Sequence, residues 1–264
     1  MPSNTQLARL LRWEACLNAR DVGGYPTRDG GTTRWRALIR SDTLCRLTPA
    51  GQAALLDYGV RTVVDLRFPE EVARDPHPFA AQPLQPPPNT RPVLYLHLPV
   101  NAGRDPSFDA ALAQAFTTAE TLDEIYRIEL DANVRGLAHI AAAVARAPDG
   151  GVVVHCHAGK DRTGIVTALL LSIAGVPDEV IAEDYALSAV NLAGLTQAWL
   201  ESITQDPEER ARLARRTVPR AEVMLATLDY LRARYGGAEP YLLAGGATAD
   251  DLALLRQRLV DGAA

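Results

Sequence analysis

Short aliphatic runs alternate with longer amphipathic stretches through the first part of this chain. Val60 to Leu66 (VRTVVDL), Val93 to Leu98 (VLYLHL) and Gly151 to Val154 (GVVV) are brief and rich in β-branched residues, the pattern of strands buried on both faces. Thr48 before Pro49 reads as an N-cap with proline in the first turn, and Gly59 as a C-cap. Together they predict a helix over 49–58 that feeds the strand beginning at Val60. A helical run over 120–147 leads back to the strand at Gly151, and Ile165 to Ile173 is apolar nearly all round, as a core helix is. Beyond Pro177 the pattern is helical, over 178–188, 206–215, 220–235 and, after a cap at Thr248, 249–260. Such alternation implies an α/β fold: a mostly parallel central sheet flanked by helices, with a helical C-terminal part on one side of it.

The segment from Asp75 to Pro92 carries seven prolines and holds neither a helix nor a central strand. It is expected to be a surface loop and not a boundary, because the strands on both sides of it belong to one sheet; residues 1–264 are expected to form one domain. Two further segments, about 99–118 and 191–219, lie where they would overhang the strand ends as a lid or cap. With 264 residues, 47% of them hydrophobic and 22% charged, the chain can bury a full core. A net charge of −5 argues against nucleic acid as a partner, so any positive field is local. No stretch is long and apolar enough for stable membrane insertion, and the start MPSNTQLARLL lacks a secretory signal, so a soluble cytoplasmic protein is expected, with signal-less export left open. Cys16, Cys45 and Cys156 are odd in number and form no CxxC pair, which fits a reducing compartment and no disulfide framework. The sequence does not speak to oligomeric state.

The chemistry concentrates in HCHAGKDRTG, His155 to Gly164, set between a buried strand and a core helix. A loop that enters a helix N-terminus turns free amide N–H groups into one concavity, where they and the helix dipole favour an anion. Gly159 lets the backbone curl, and a thiolate at Cys156 is stabilised by the same field and is a nucleophile. Arg162, six positions on, offers a planar fork for two phosphoryl oxygens, and Thr163 brings a hydroxyl near the sulfur. Lys160 is the only lysine in the chain. It suits an extra contact to a polyanionic substrate; the plainer alternative is a helix-start lysine paired with a carboxylate.

HCxxGxxR[ST] is the signature of the Cys-dependent protein tyrosine phosphatase superfamily, and HCxAGKDRTG resembles its bacterial tyrosine and dual-specificity branch. NARDVGGY (Asn18 to Tyr25), LIRSDTL (Leu38 to Leu44), VVDLRFPEEV (Val63 to Val72), EDYALS (Glu183 to Ser188) and the terminal Tyr241, Leu242, Gly245 and Leu252 are similar to further segments of that branch, so the likeness spans nearly the whole chain. The resemblance implies a phosphatase fold of that type, a phosphocysteine intermediate on Cys156, oxyanion binding by Arg162 and the loop residues His157, Ala158, Gly159, Lys160, Asp161 and Thr163, and neither metal nor other cofactor. His155 is expected to hydrogen-bond the loop in support of Cys156.

The proton for the leaving group is sought among four aspartates, Asp161 in the loop, Asp65 at a strand end, and Asp105 and Asp109 in the candidate lid, with Asp161 ranked first and Asp105 next. Asp65, Arg67 and Glu70 also read as a structural charge network, and Arg20, Asp21, Arg40 and Ser41 as a tie between the N-terminal segment and the sheet edge. No second ligand pair stands at zinc spacing beside His155 and His157, so no metal is expected. The substrate expected from the resemblance is a phosphorylated protein, foremost phosphotyrosine with dual specificity open, or alternatively a phosphoinositide or inositol phosphate. A sulfurtransferase is disfavoured by the loop length, and a phosphate-binding module without turnover by the presence of Cys156, Arg162 and Thr163.

Overall fold

The computed structural model describes residues 8–80, 92–100 and 106–262; Asp105 and the middle of the proline-dense stretch lie outside them. Five strands form one sheet: β1 (Arg20–Asp21), β2 (Leu38–Ser41), β3 (Val60–Asp65), β4 (Leu94–His97) and β5 (Gly151–His155), in the order β1-β2-β5-β3-β4. β1 is antiparallel to β2 and every other pairing is parallel. β5 lies between β2 and β3 and is buried at every position, which is why its sequence is aliphatic on both faces. Its side chains divide by pleat, Val152 and Val154 toward one core and Val153 toward the other.

The helices among the described residues are α1 (Pro49–Tyr58), α2 (Pro69–Arg74), α3 (Pro106–Thr118), α4 (Leu122–Ala132), α5 (Val134–Ala145), α6 (Asp161–Ile173), α7 (Asp178–Asn191), α8 (Ala193–Ile203), α9 (Pro207–Thr217), α10 (Ala221–Tyr235), α11 (Ala238–Ala244) and α12 (Ala249–Leu259). The larger core joins Leu38 and Val64 of the sheet to α4 to α7 and α10 to α12; the smaller one sets Ile39, Val63 and Val153 against Leu55 of α1 and Trp13 of the N-terminal segment. The Thr48 hydroxyl accepts from the Gly51 amide and Gly59 closes α1 at φ 102°, as the sequence predicts. The run over 120–147 is two helices: Asn133 leaves helical geometry and its side-chain amide donates to the Glu129 carbonyl, ending α4. α2, α3, α8 and α11 are not anticipated by the pattern. α2 is short and starts at Pro69, and α8 points Leu195, Trp199 and Ile203 toward solvent, so its apolar spacing does not register as a core face. No helix of the described residues is long and apolar enough to cross a membrane.

Two features of this sheet position the loop that follows β5. The register pairs Ser41 with His155 and Asp65 with both His155 and His97, so the four parallel strands stop in one row, and their following segments converge beyond it. The second is a buried charge network. Asp184 of α7 accepts from Arg20 Nε at 3.0 Å and Arg40 Nη1 at 2.7 Å, all three side chains at most 2% exposed, and Tyr25 donates to the same carboxylate. Arg20 also donates to Asn18 Oδ1 at 2.7 Å and to Ser188 Oγ. Of the four residues expected to tie the N-terminal segment to the sheet edge, Arg20 and Arg40 meet on Asp184 of α7, Asp21 accepts from the Gly23 and Arg36 amides, and Ser41 Oγ lies 3.0 Å from Cys16 Sγ.

Burial alone would raise the Asp184 carboxyl, but the two guanidinium groups outweigh it and hold it at about 2. A folded value below the unfolded one stabilises the fold above about pH 4, and that contribution fades as pH falls toward 2. Asp184→Asn is expected to lower the urea unfolding free energy at pH 7 by about 3–5 kcal/mol, because it strands two buried cations. The gap to the parent protein should narrow between pH 4 and pH 2; equal stability at pH 7 would contradict this account.

Candidate active site

The loop between β5 and α6 is shaped by where its carbonyls point. The Cys156 carbonyl accepts from His155 Nδ1 at 3.0 Å and the His157 carbonyl from the Thr43 amide at 2.9 Å. Asn18 Nδ2 donates to the carbonyls of Ala158 and Gly159, each at 3.1 Å, and Arg40 Nη2 adds a second donor on Gly159 at 3.1 Å. In a trans peptide the N–H points opposite to the C=O. With these carbonyls drawn outward onto the scaffold, the following amides face the concavity above Cys156, which is 3% exposed. Asn18 is itself held: its backbone amide donates to Asp42 Oδ1 at 2.8 Å, and the Cys16 thiol, kept neutral by burial and the Asp42 charge, donates to the same oxygen.

Gly159 sits at φ 65°, and a Cβ there would lie 2.3 Å from the Ser41 carbonyl oxygen. The loop is therefore pressed against the end of β2 as closely as backbone allows. Gly164 has a different reason: a Cβ there would lie 2.9 Å from the ring of Tyr185, which packs into the notch. His155 is fully buried, and burial, the largest influence on it, lowers its pKa, so it is a neutral imidazole with its proton on Nδ1.

Arg162 lies in the first turn of α6 and is gripped by Glu71 of α2, Nη1 to Oε2 at 2.5 Å and Nη2 to Oε1 at 3.0 Å, with its guanidinium 4.4 Å from the Phe68 ring centroid. Desolvation works against its charge, yet Cys156, Glu71 and Asp161 more than offset this and hold it protonated. Glu71 also accepts from the Phe68 amide at 2.7 Å, which caps α2 and orients the carboxylate. Glu71 was not singled out from the sequence, where Glu70 stood for the acidic member of this segment; the signal available was the fork of Arg162, which needs a two-oxygen partner when free of ligand.

The remaining candidate residues are distributed as follows. Asp161 begins α6, its side chain 41% exposed; Tyr126 donates to its Oδ1 at 2.6 Å and Lys160 Nζ lies 3.5 Å from its Oδ2. Lys160 turns its ammonium to the Thr217 carbonyl, at 2.6 Å, where α9 ends. Arg216, one residue earlier, donates to the Phe116 and Thr117 carbonyls at the end of α3, so the two segments expected to overhang the site meet beside it. His157 is exposed and Ala158 half-buried. The Thr163 hydroxyl is buried and has no hydrogen-bond partner among the described residues, so it makes no bond to the Cys156 sulfur here. Asp65 is fully buried and bonded to Arg67 and Tyr95. Burial opposes its ionisation, but the Arg67 guanidinium and backbone amide hold its carboxyl well below the usual range, so it has no proton to give at neutral pH. Asp109 lies on α3, and Asp105 falls outside the described residues.

One group of metal-ligand type is brought together that the spacing did not reveal: Asp65, His77 and His155, whose ligand atoms lie within 4.8 Å of one another. Both Asp65 oxygens already accept from Arg67, and the Arg67 guanidinium stands where a cation would be repelled.

Comparison with known proteins places this geometry. Residues 11–261 match the model of the tyrosine phosphatase family. The chain is 32% identical over 229 residues to a tyrosine-protein phosphatase of Nostoc commune, covering 84% of this chain and 74% of that protein. It is 31% identical over 256 residues to the triple specificity protein phosphatase PtpB of Mycobacterium tuberculosis, covering 87% of this chain and 91% of that one.

Gly159→Ala tests the shape of the loop. With a methyl group driven into the Ser41 carbonyl, affinity for tungstate, measured by isothermal titration calorimetry, is expected to fall on the order of tenfold or more while the far-UV circular dichroism spectrum stays the same. Unchanged tungstate affinity would refute the outward-carbonyl account of the loop.

Proposed function

This chain belongs to the tyrosine phosphatase family, and we propose that it hydrolyses protein phosphate esters, foremost phosphotyrosine with dual specificity, through a phosphocysteine on Cys156. The observation that carries the reading is the outward turn of the loop carbonyls onto His155, Thr43, Asn18 and Arg40, which leaves a ring of amide donors above a buried sulfur. In the first step the Cys156 thiolate attacks phosphorus in line, the bond to the leaving oxygen breaks, and Asp161 delivers the proton that oxygen needs. In the second, water attacks the phosphocysteine, Asp161 accepts a proton from it, and the thiolate departs from inorganic phosphate. Arg162 and the amides of residues 157–163 hold the equatorial oxygens throughout, and Glu71 keeps the Arg162 fork in register while leaving N–H groups free for them.

We read residues 1–264 as one catalytic domain, with α8, α9 and the segment around α3 as a roof over the loop. A second reading, hydrolysis of a phosphoinositide or inositol phosphate, calls for Lys160 as a contact to a polyanionic substrate. The ammonium is engaged with Thr217 and Asp161 instead, and no other observation favours that substrate. A panel of phosphotyrosine, phosphoserine and phosphothreonine peptides with soluble inositol phosphates, compared by kcat/KM, decides between them; preference for an inositol phosphate would overturn the protein-phosphatase reading.

Cys156→Ser is expected to release no phosphate from p-nitrophenyl phosphate above background while still binding substrate, and an acid-quenched turnover mixture of the parent protein should carry phosphate on Cys156. Near-normal turnover in the serine variant would rule out covalent catalysis. Arg162→Lys should lower kcat by roughly a hundredfold and change KM far less, because the fork matters most as charge grows on the transferring phosphoryl group.

A further inference from the structure

The Asp161 carboxylate is the end of a buried hydroxyl chain. Tyr126 of α4 donates to Asp161 Oδ1 at 2.6 Å, and the hydroxyls of Tyr126 and Tyr185 of α7 lie 2.7 Å apart. Both tyrosines are 1% exposed, and their rings meet edge to face with centroids 6.1 Å apart. A phenol has one proton to give. That of Tyr126 goes to Asp161, so Tyr185 must donate to Tyr126, and the chain runs in one direction, from Tyr185 through Tyr126 to Asp161. It is kept in place by the notch at Gly164, whose missing Cβ makes room for the Tyr185 ring, so α4, α6 and α7 converge on one side chain.

We propose that Tyr126 and Tyr185 are positioning residues for general-acid catalysis: they fix the Asp161 carboxyl and confine its transferable proton to Oδ2. This rests on Asp161 being the acid. A donor aimed at Oδ1 leaves only the other oxygen to carry a proton. It also removes the rotational freedom of a half-exposed side chain at the start of a helix. A phenol bonds a carboxylate more strongly than a carboxylic acid, so the Tyr126 hydroxyl discriminates between the two forms of its partner. Among the described residues, the charged and titratable groups facing Asp161 are Lys160 and Arg162 from its own loop and helix and the two tyrosines; Arg40 and Arg220 bear on Tyr185. Burial foremost, then Asp161, keeps both phenols protonated, so they act as donors across the working range. The need is graded by the leaving group: p-nitrophenolate departs with little help, whereas a tyrosyl oxygen, with a parent pKa of about 10, requires the proton.

The test is the pH dependence of kcat and KM for Tyr126→Phe, Tyr185→Phe and Asp161→Asn on p-nitrophenyl phosphate and on a phosphotyrosine peptide. Tyr126→Phe is expected to lose about tenfold in kcat on the peptide, with a much smaller loss on p-nitrophenyl phosphate, KM within about twofold, and the alkaline limb displaced to higher pH. Tyr185→Phe should move the same quantities less. A loss equal for both substrates, with the limb in place, would make Tyr126 a packing residue and overturn the proposal. Asp161→Asn separates the two layers. If it abolishes the alkaline limb while Tyr126→Phe leaves that limb untouched, the positioning role alone fails; if the limb survives Asp161→Asn, Asp161 is not the acid and the proposal falls with it. Should Tyr126→Phe fail to fold, the double variant Tyr126→Phe/Tyr185→Phe leaves no unpaired hydroxyl and is judged by the same two readouts.

Discussion

The site depends on carbonyl groups being pulled away from it. A strand-to-helix loop presents both polar faces of its peptides, and an anion cradle forms only if the acceptors are engaged elsewhere. Here the engagement is made by His155 within the strand, by the Thr43 amide past the end of β2, and by Asn18 and Arg40 from the N-terminal part of the chain. Residues more than a hundred positions away in sequence thus determine the direction of the amides above Cys156. The loop motif alone, grafted onto another strand–helix junction, would lack the donors that define its concave side.

Those donors are in turn fixed by buried charge. Arg40 reaches Gly159 with one end of its guanidinium and Asp184 with the other, and Arg20 links Asp184 to Asn18. Burying two cations with one carboxylate is costly; Tyr25, Ser188 and carbonyl groups add further bonds, and Arg40 Nε stays buried without a partner among the described residues. Arg20 and Arg40 bring two positive charges against the single negative charge of Asp184, and the Asp42 carboxylate at the Asn18 amide supplies a second negative charge nearby.

Much of this was legible in the sequence, for reasons that can be stated. Cys156, Gly159 and Arg162 are close in the chain, and their roles follow from local geometry, so the motif shows them. β3, β5 and the caps at Thr48, Gly59 and Thr248 were readable because buried strands and capped helices leave short-range signatures. Glu71, Tyr126 and Asp184 were not, since each matters through one contact made across the fold, and a glutamate on a short helix, a tyrosine and an aspartate on amphipathic helices look like ordinary surface or core residues. Gly164 belonged to the motif, but only the packed Tyr185 ring explains why it is a glycine. The break at Asn133 was hidden because one asparagine in a helical run is a weak signal until its side chain is seen to compete for the Glu129 carbonyl.

The charged side chains of the loop share one further property: each is held from outside the loop. Arg162 is held by Glu71, Asp161 by Tyr126 and Lys160 by the Thr217 carbonyl. The third contact differs in kind from the first two. A carboxylate matched to a guanidinium fork and a phenol aimed at a carboxylate constrain direction, whereas an ammonium on a helix C-terminal carbonyl is a point charge at the negative end of a dipole. Arg216 makes the same kind of contact with the end of α3, so α9 is joined to the loop and to α3 through cations on helix C-termini. Such attachments tolerate rotation and exchange of partners in a way that the Glu71 and Tyr126 contacts do not. The architecture thus places two kinds of contact on one loop: Arg162 and Asp161 have directional partners, and the connection of Lys160 to the end of α9 is left to a point charge.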